Sequence, residues 1–259
     1  MRHMPLRTVV VYRGKLGERV VNAIDEYFPL EPVEIRGLGM AYRYETERAT
    51  AYIVRLNASY EANVRFYEKI ILDALGHIDE VVSINPHLAD PREGLFVHSS
   101  GNVAGEGYGQ LHPLSLSPTS PSFIGTFVLA AQWVSAELGE APVHIEATHD
   151  LPVDSNIPYV SVEYKGDYAD ELALALGATL GRRGAFKPYL TVGMSYYADE
   201  FIPLIRKKRV VPAYHIPVYL AHNITPELIE RLKKKKWIVG ILTGEGVPKD
   251  IIATGAFEG

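Results

Sequence analysis

Residues 143–164 read VHIEATHDLPVDSNIPYVSVEY, and this stretch decides how the rest of the chain is interpreted. The pattern predicts one strand over Val143–Thr148 and a second over Tyr159–Tyr164, joined by a polar turn. Because side chains alternate along a strand, His144 and Glu146 would share one face of the first strand. That face would be polar, and the opposite face would be buried.

Polar residues continue beyond the end of the first strand. The pair His149-Asp150 follows it directly, at the position where α/β proteins usually carry their chemistry. Glu163 is an acid within the otherwise apolar second strand. Two acids and two histidines so close together exceed what a structural hairpin needs, so we favour a functional site. A core histidine beside an edge-strand acid is the structural alternative.

Strands and helices alternate along the remainder of the sequence. The other predicted strands cover residues 8–12, 33–38, 51–56, 80–84, 95–97, 188–194, 210–214 and 237–242. The predicted helices cover residues 17–28, 59–75, 122–138, 168–180, 199–208 and 226–235. This order predicts a three-layer α/β/α fold with a mostly parallel, mixed central sheet. We expect a single domain over residues 1–259, with a small N-terminal lobe over residues 1–78 as the alternative.

Composition restricts the chemistry that the chain can perform. Of its 259 residues, 47% are hydrophobic and none is cysteine, so thiol nucleophiles, disulfides and thiolate metal sites are excluded. A metal would have to be bound by His, Asp, Glu or water. No signal-peptide pattern opens the chain, which favours a cytoplasmic protein. Glutamine occurs only at positions 110 and 132 among many Glu, Lys and Arg residues, a composition typical of thermophiles.

Charge is distributed unevenly along the chain. The net charge is −5, yet residues 181–259 hold 13 of the 26 Lys and Arg residues and only 7 of the 31 Asp and Glu residues. Part of this excess ends predicted helices, where cations suit the helix dipole. The last third is otherwise the expected surface for a polyanion such as nucleic acid. The two basic runs are Arg206, Lys207, Lys208 and Arg209, and Lys233, Lys234, Lys235 and Lys236.

Four histidines follow predicted strands: His87, His98, His149 and His215. If those strands run parallel, the four imidazoles lie at one edge of the sheet and can converge in one crevice. Scattered His, Asp and Glu side chains of this kind suit one or two zinc ions with an open coordination position. His144 lies within a strand, so we expect it in the core or behind the metal ligands.

Three motifs carry a resemblance to a known family. Glu146 to His149 read E-A-T-H, as in a family motif E-A-T-H-H-G-P, with Pro158 and Glu163 matching the following strand. Residues 98–102 match H-x-x-G-N, and residues 215–219 resemble H-I-L-P-K-Y. The family is that of the zinc-dependent D-aminoacyl-tRNA deacylases of archaeal and plant type, and the chain is similar to a divergent member.

The resemblance implies a hydrolase with a phosphorylase- or hydrolase-like fold that releases D-amino acids from tRNA in translation quality control. It implies zinc as cofactor and the tRNA acceptor end as partner, with the basic runs holding acceptor-stem phosphates; a monomer and a dimer both remain open. Glu146 is the candidate general base, with Glu163 as second choice and His149 as a further catalytic residue. The candidate metal ligands are His87, His98, His149, Asp150 and His215. The candidate substrate-binding residues are Asn102, Thr148, Tyr196 and Tyr219.

Two histidines of the family motifs are replaced here. Asp150 stands in place of the second histidine of E-A-T-H-H, and Tyr196 in place of the histidine of G-G-G-H-Y-A. An altered homologue that binds tRNA 3′ ends or aminoacyl-tRNA without hydrolysis is therefore the second hypothesis. A small-molecule hydrolase or phosphorylase-like enzyme on a similar sheet is the third.

Overall fold

The computed structural model describes residues 5–56, 71–88, 91–99, 119–139, 141–147, 157–194, 197–217 and 240–243. The strands are β1 Leu6–Tyr12, β2 Glu31–Ile35, β3 Gly39–Glu45, β4 Ala49–Arg55, β5 Glu80–Pro86, β6 Gly94–Ser99, β7 Val143–Ala147, β8 Tyr159–Lys165, β9 Lys187–Met194, β10 Val210–Pro217 and β11 Gly240–Thr243. The helices are α1 Gly14–Tyr27, α2 Pro121–Leu138, α3 Ala169–Gly181 and α4 Ile202–Lys208, and the 3-10 turn Asp199–Phe201 precedes α4. Residues 71–75 are also helical.

Eight strands form the larger sheet, in the order β2-β3-β4-β1-β5-β8-β6-β7. The central strands β4, β1, β5 and β8 are parallel to one another. Strand β3 pairs antiparallel with β4 and with β2, and β6 pairs antiparallel with β8 and parallel with β7. The predicted α/β class with a mixed, mostly parallel sheet is confirmed. The central strands are rich in Val and Ile because both of their faces are covered.

The two faces of the larger sheet are covered by different elements. One face packs against α1, α2 and α3, with Phe123, Phe127 and Leu172 completely buried among the strand residues. The other face carries a second apolar cluster that includes Val9, Val11 and Ile71 from the helical segment 71–75. No helix within the described ranges is long and apolar enough to cross a membrane.

A smaller sheet follows the larger one. Strands β10, β9 and β11 are parallel, with β9 in the centre, and β10 contacts α2, β6 and β7. The sequence pattern predicted all three strands but did not separate them from the main sheet. The 3-10 turn and α4 return the chain from the end of β9 to the start of β10, so β10 can run parallel to β9.

Helix boundaries follow local signals. Ser120 caps α2, its hydroxyl accepting a hydrogen bond from the Phe123 N–H at 3.3 Å, and Pro121 occupies the first helical turn. Gly139 ends the same helix with φ 142°, a backbone conformation that L side chains rarely adopt. The predicted helix over 122–138 is thus confirmed to within one residue. The expected helix over 199–208 instead begins with a 3-10 turn before α4.

Other predictions from the sequence were wrong about which strands pair and about where strands lie. The strands β7 and β8 do not form a hairpin, because β6 lies between them. Strand β3, Gly39–Glu45, was not predicted, and the predicted strand over 33–38 is β2, which ends at Ile35. The predicted helix over 226–235 lies outside the described residues.

Packing between α1 and α3 yields a test of the fold. A Cβ added to Gly177 on α3 would clash with the Phe28 ring, so the ring occupies the space of the missing side chain. We expect Gly177→Ala to lower the free energy of unfolding by about 1–3 kcal/mol, since a buried ring must move. Urea denaturation measures this change. Ala74→Gly, on a helical segment remote from Phe28, is the comparison, because it measures the effect of exchanging Ala and Gly in a helix without moving the Phe28 ring. Gly76 cannot serve this purpose, because its φ of 75° is unfavourable for alanine.

Candidate metal centre

Four buried side chains from four adjacent segments of the larger sheet meet at one place. His87 follows β5, and the others lie on neighbouring strands: His98 on β6, Glu146 on β7 and Glu163 on β8. Register explains the meeting, because His98 pairs with Glu146 across the β6–β7 ladder and Phe96 pairs with Glu163 across the β6–β8 ladder. Alternate residues share a face, so these polar groups all project to the side opposite α2. We call these four residues the His–Glu group.

Each imidazole in the His–Glu group contacts both carboxylates. His87 Nδ1 lies 2.8 Å from Oε2 of Glu163 and 3.4 Å from Oε1 of Glu146. His98 Nε2 lies 2.5 Å from Oε1 of Glu146 and 3.4 Å from Oε1 of Glu163. All four residues are at most 5% exposed. Such close contacts between buried charged groups are tolerated only where opposite charges compensate each other.

The surroundings change the pKa values of two members of the group. Burial raises the pKa of Glu163, but the positive charges and hydrogen bonds of His98 and His87 outweigh burial and bring it to about 2. Burial lowers the pKa of His98, but Glu163 and Glu146 outweigh that effect and hold it well above the usual value. Without a metal, the site is therefore held together by an imidazolium and ionised carboxylate.

The His–Glu group has the composition and spacing of a metal site. One ligand atom from each residue can be chosen so that all four lie within 4.8 Å of one another. Tetrahedral zinc with bonds of about 2.0–2.2 Å separates its ligands by roughly 3.4 Å, so the shortest contacts would have to open by less than 1 Å. Two carboxylates also balance the charge of a divalent ion. Within the described residues, His87 Nε2 and His98 Nδ1 are buried without hydrogen-bond partners. The hydrogen-bonding capacity of both imidazole rings is therefore only partly used by the described part of the protein.

The Glu163 carboxylate is held by a hydrogen-bond chain that starts from the Ser161 hydroxyl and continues to the Asn85 amide. Ser161 Oγ donates to Oε1 of Glu163 at 3.4 Å, and Asn85 Nδ2 donates to Ser161 Oγ at 3.0 Å. Asn85 also donates to Ser83 Oγ at 3.0 Å. Because these groups come from adjacent strands, the sheet fixes the direction in which the Glu163 carboxylate points.

Aromatic and charged side chains continue outward from His87. Phe96 stacks on His87 with ring centroids 3.7 Å apart, and His144 lies on the other side of Phe96 at 5.0 Å. His144 Nδ1 lies 2.8 Å from Oδ2 of Asp199, whose other oxygen accepts the Ile145 N–H at 2.9 Å. Behind this pair, Arg92 covers the Tyr197 ring at 3.7 Å. His144 was expected in the core or behind the metal ligands; it is half-buried, and Phe96 contacts both it and His87.

The structure brings together four of the residues singled out in the sequence. His87 and His98 were expected as metal ligands, whereas Glu146 and Glu163 were expected as bases and now also qualify as ligands. The expected common edge of parallel strands was wrong for His98, because β6 runs antiparallel to β8. Several predicted site residues lie outside the described part of the chain: Asn102, Thr148, His149, Asp150, Tyr196, Tyr219, Lys233, Lys234, Lys235 and Lys236.

His215 is located differently from the prediction. It was expected to follow a strand that ended at Tyr214, but β10 continues to Pro217 and includes it. The His215 side chain is fully buried, and its Nδ1 lies 2.6 Å from the Thr191 hydroxyl on β9. It is not one of the four residues of the His–Glu group. A role as metal ligand therefore gains no support from this position.

Asp199 and Arg92 were not identified from the sequence as parts of this region. Asp199 opens the 3-10 turn after β9, and its carboxylate connects to β7 through His144 and the Ile145 N–H. The sequence signal that could have indicated it was an acid at the start of a predicted helix, which has a simpler explanation as a helix-dipole partner. Its contact with β7, 54 residues earlier, depends on tertiary packing.

Glu163 and His98 should together contribute most to the stability of the metal-free protein between about pH 4.5 and 6.5. The pKa of Glu163 falls from its ordinary 4.5 to about 2 on folding, so its contribution is present above pH 4.5 and is lost as the pH falls toward 2. The pKa of His98 rises above its ordinary 6.5, so its contribution is present below pH 6.5 and is lost as the pH increases through the raised value.

Urea unfolding in the presence of chelator, at a series of pH values, tests this expectation. As the pH falls from 4.5 toward 2 (the acid limb), the free energy of unfolding of the wild type should decrease by on the order of 2–3 kcal/mol. The decrease should be smaller in Glu163→Gln, which cannot ionise at that position. Equal acid limbs in the two proteins would contradict the assignment.

Comparison with known proteins adds family and fold information. The family model described as D-aminoacyl-tRNA deacylase matches residues 75–249, a range that includes the entire His–Glu group. The crystal structure of a conserved protein of unknown function, AF0625, is similar with a TM-score of 0.79 and 19% identity, covering 97% of this chain and 92% of that chain. This likeness concerns the fold. No curated protein matches the chain.

Two further solved structures have a weaker similarity to this chain. Futalosine hydrolase of Helicobacter pylori has a TM-score of 0.43 and 13% identity, covering 68% of this chain and 98% of its own. A putative methylthioadenosine nucleosidase from Weissella paramesenteroides has a TM-score of 0.47 and 10% identity, with the same coverage of each chain.

Proposed function

Because this chain belongs to the D-aminoacyl-tRNA deacylase family, we propose that it hydrolyses the ester bond between a D-amino acid and tRNA with the help of a zinc ion. The observation that carries this proposal is the His–Glu group, four buried ligand-type side chains inside the matched range. The absence of cysteine leaves imidazole and carboxylate as the ligands that suit zinc.

The four side chains would divide between two tasks. A zinc ion that takes four protein ligands has no open position and serves structure, whereas a catalytic zinc usually keeps three protein ligands. We assign His87, His98 and Glu163 to the metal. Both glutamates contact both imidazoles, but Glu163 also accepts a hydrogen bond from Ser161, which suits a fixed ligand. Its pKa of about 2 also makes it a weak base near neutral pH.

Glu146 remains as the general base, the role expected from the sequence. It would accept a proton from the water that attacks the ester carbonyl carbon, and return that proton to the ribose oxygen as the ester C–O bond breaks. The products are the free D-amino acid and the tRNA hydroxyl. A zinc ion held beside it would act as a Lewis acid toward the ester carbonyl.

The remaining predicted residues keep their proposed roles. Asn102, Thr148, Tyr196 and Tyr219 would orient the aminoacyl end. His149 and Asp150 would serve as further metal ligands, and His149 also as a catalytic residue. Asn102 lies four positions after His98, and Thr148, His149 and Asp150 lie within four positions of Glu146, which supports their part of this proposal. A single domain and a cytoplasmic location also remain proposals.

Deacylation of D-Tyr-tRNA with and without zinc tests the function. Chelator-treated protein should be inactive, and one equivalent of zinc should restore hydrolysis, with L-Tyr-tRNA as the matched substrate control. Metal analysis of protein purified without chelator should find zinc. His87→Ala should abolish both zinc binding and hydrolysis.

The replaced motif residues Asp150 and Tyr196 favour a second candidate, a homologue that binds aminoacyl-tRNA without hydrolysis. Tight binding of aminoacyl-tRNA without zinc and without ester cleavage would support that candidate and would contradict the hydrolase. Cleavage that tracks the zinc content would exclude it.

A further inference from the structure

Six exposed cations from two segments form a surface that we call the basic patch. Its members are Arg182, Lys187, Arg206, Lys207, Lys208 and Arg209. The two segments touch, because the Lys187 N–H donates to the Arg209 carbonyl at 2.6 Å and the Arg209 guanidinium covers the Phe186 ring at 5.1 Å. The patch thus lies where β9 and β10 begin, at the C-terminal end of α4.

Negative charge is scarce around the basic patch. Residues 182–198 and 201–217 contain no Asp or Glu. Across the parts of the chain that the structure describes, none of the six cations is within ion-pair distance of a carboxylate. Glu47 lines a groove next to Arg182, but Arg48 lines the same groove and offsets its charge. The patch therefore carries about six uncompensated positive charges.

Helix dipoles explain only a small part of this charge. The C-terminal ends of α3 and α4 each carry about half a negative charge, roughly one in total. Six cations far exceed that amount, and their mutual repulsion is unfavourable for the isolated protein. Arg209 also has φ 56° at the C-cap of α4, a position where glycine is the favoured residue. A bound polyanion would compensate the repulsion among the cations.

The basic patch lies far from the His–Glu group. Strand β9 spans eight residues from Lys187 at the patch to Met194, shortly before Tyr197, which pairs with Glu146. At about 3.3 Å per residue this is roughly 23 Å. The 3-10 turn and α4, which lead back from Asp199 to the patch, span about 16 Å. A separation on the order of 20 Å is too large for one nucleotide to contact both places.

We propose that the basic patch binds backbone phosphates of the base-paired part of tRNA while the unpaired 3′ end reaches the His–Glu group. This inference rests on the proposed function for the identity of the polyanion. It assigns Arg182 and Lys187 to the RNA surface together with the run Arg206 to Arg209. Phosphate contacts of this kind supply affinity and orientation without reading sequence.

Binding of uncharged tRNA, followed by fluorescence anisotropy over a series of KCl concentrations, tests the proposal without requiring hydrolysis. The variant Lys207→Gln/Lys208→Gln should weaken binding about tenfold at moderate salt and reduce the slope of log Kd against log salt by about 2. The control Arg36→Gln/Arg43→Gln makes the same change in net charge on the β2–β3 edge and should match the wild type.

Hydrolysis adds a second measurement. For D-Tyr-tRNA the patch variant should raise KM about tenfold with kcat within twofold of the wild type, and for the D-tyrosyl ester of adenosine, which lacks the duplex, both constants should be unchanged. A tRNA affinity and salt slope equal to those of the wild type would overturn the proposal. Equal loss in both double variants would also overturn it, because net charge alone would then account for binding. An inactive wild type that still shows the patch-dependent slope would refute the proposed hydrolysis and leave the RNA surface intact.

Discussion

Glu146→Gln is expected to lower kcat for D-Tyr-tRNA hydrolysis by about 10²–10⁴-fold while the protein still binds one zinc ion. The reason is the proposed division of the His–Glu group, in which Glu146 transfers the proton and the other three members hold the metal. Glutamine has nearly the same shape as glutamate and can still accept a hydrogen bond from His98, but it cannot accept a proton from water. Rate and metal content should therefore separate in this variant.

Single-turnover rates and zinc content, measured on the same preparations, check the assignment. Glu163→Gln is the matched control, because it makes the same chemical change on the neighbouring strand and should instead lower zinc affinity by at least about 100-fold. If Glu146→Gln loses zinc and Glu163→Gln retains it fully, Glu146 is the metal ligand and Glu163 is the general base. Near wild-type rates in both zinc-loaded variants would reject acid–base catalysis by either glutamate.

The sequence predicted the members of this site better than it predicted the path that brings them together. The sequence analysis selected the four members because a polar side chain in or just after an apolar strand is unfavourable unless it has a function. These members are His87, His98, Glu146 and Glu163. The parallel arrangement that was to unite the histidines was wrong, because β6 and β7 run antiparallel to β5, and β10 belongs to the smaller sheet. Strand direction depends on the crossover between strands, and apolar periodicity is the same in both directions.

The roles of the acids were also beyond the reach of sequence patterns. Glu146 and Glu163 are 17 positions apart and lie on strands that do not pair, with β6 between them. Each was therefore interpreted by itself, as a base. Only the register of three strands shows that both carboxylates contact both imidazoles. The same limitation applies to Asp199, whose partner His144 is 55 residues away.

The second large effect concerns stability and lies at the opposite end of β5. Glu80 is 1% exposed, and its carboxylate accepts a hydrogen bond from the Thr8 hydroxyl at 2.7 Å and pairs with the Arg183 guanidinium. Glu80→Leu should lower the free energy of unfolding by about 3–5 kcal/mol, because it leaves the nearly buried Arg183 without a counter-charge. That loss would be a large share of the 5–15 kcal/mol typical of a native protein.

Urea denaturation at fixed zinc content measures the loss, and two further variants test its cause. Glu80→Leu/Arg183→Met removes both charges and should recover most of the stability, since a well-packed apolar pair often replaces a buried ion pair at little cost. Arg43→Gln breaks an exposed pair with Glu31 and should cost less than about 1 kcal/mol. If the double variant is as unstable as Glu80→Leu, lost packing rather than an unpaired charge is responsible. Because β5 separates Glu80 from His87 by roughly 23 Å, folded Glu80→Leu should keep the zinc affinity of the wild type.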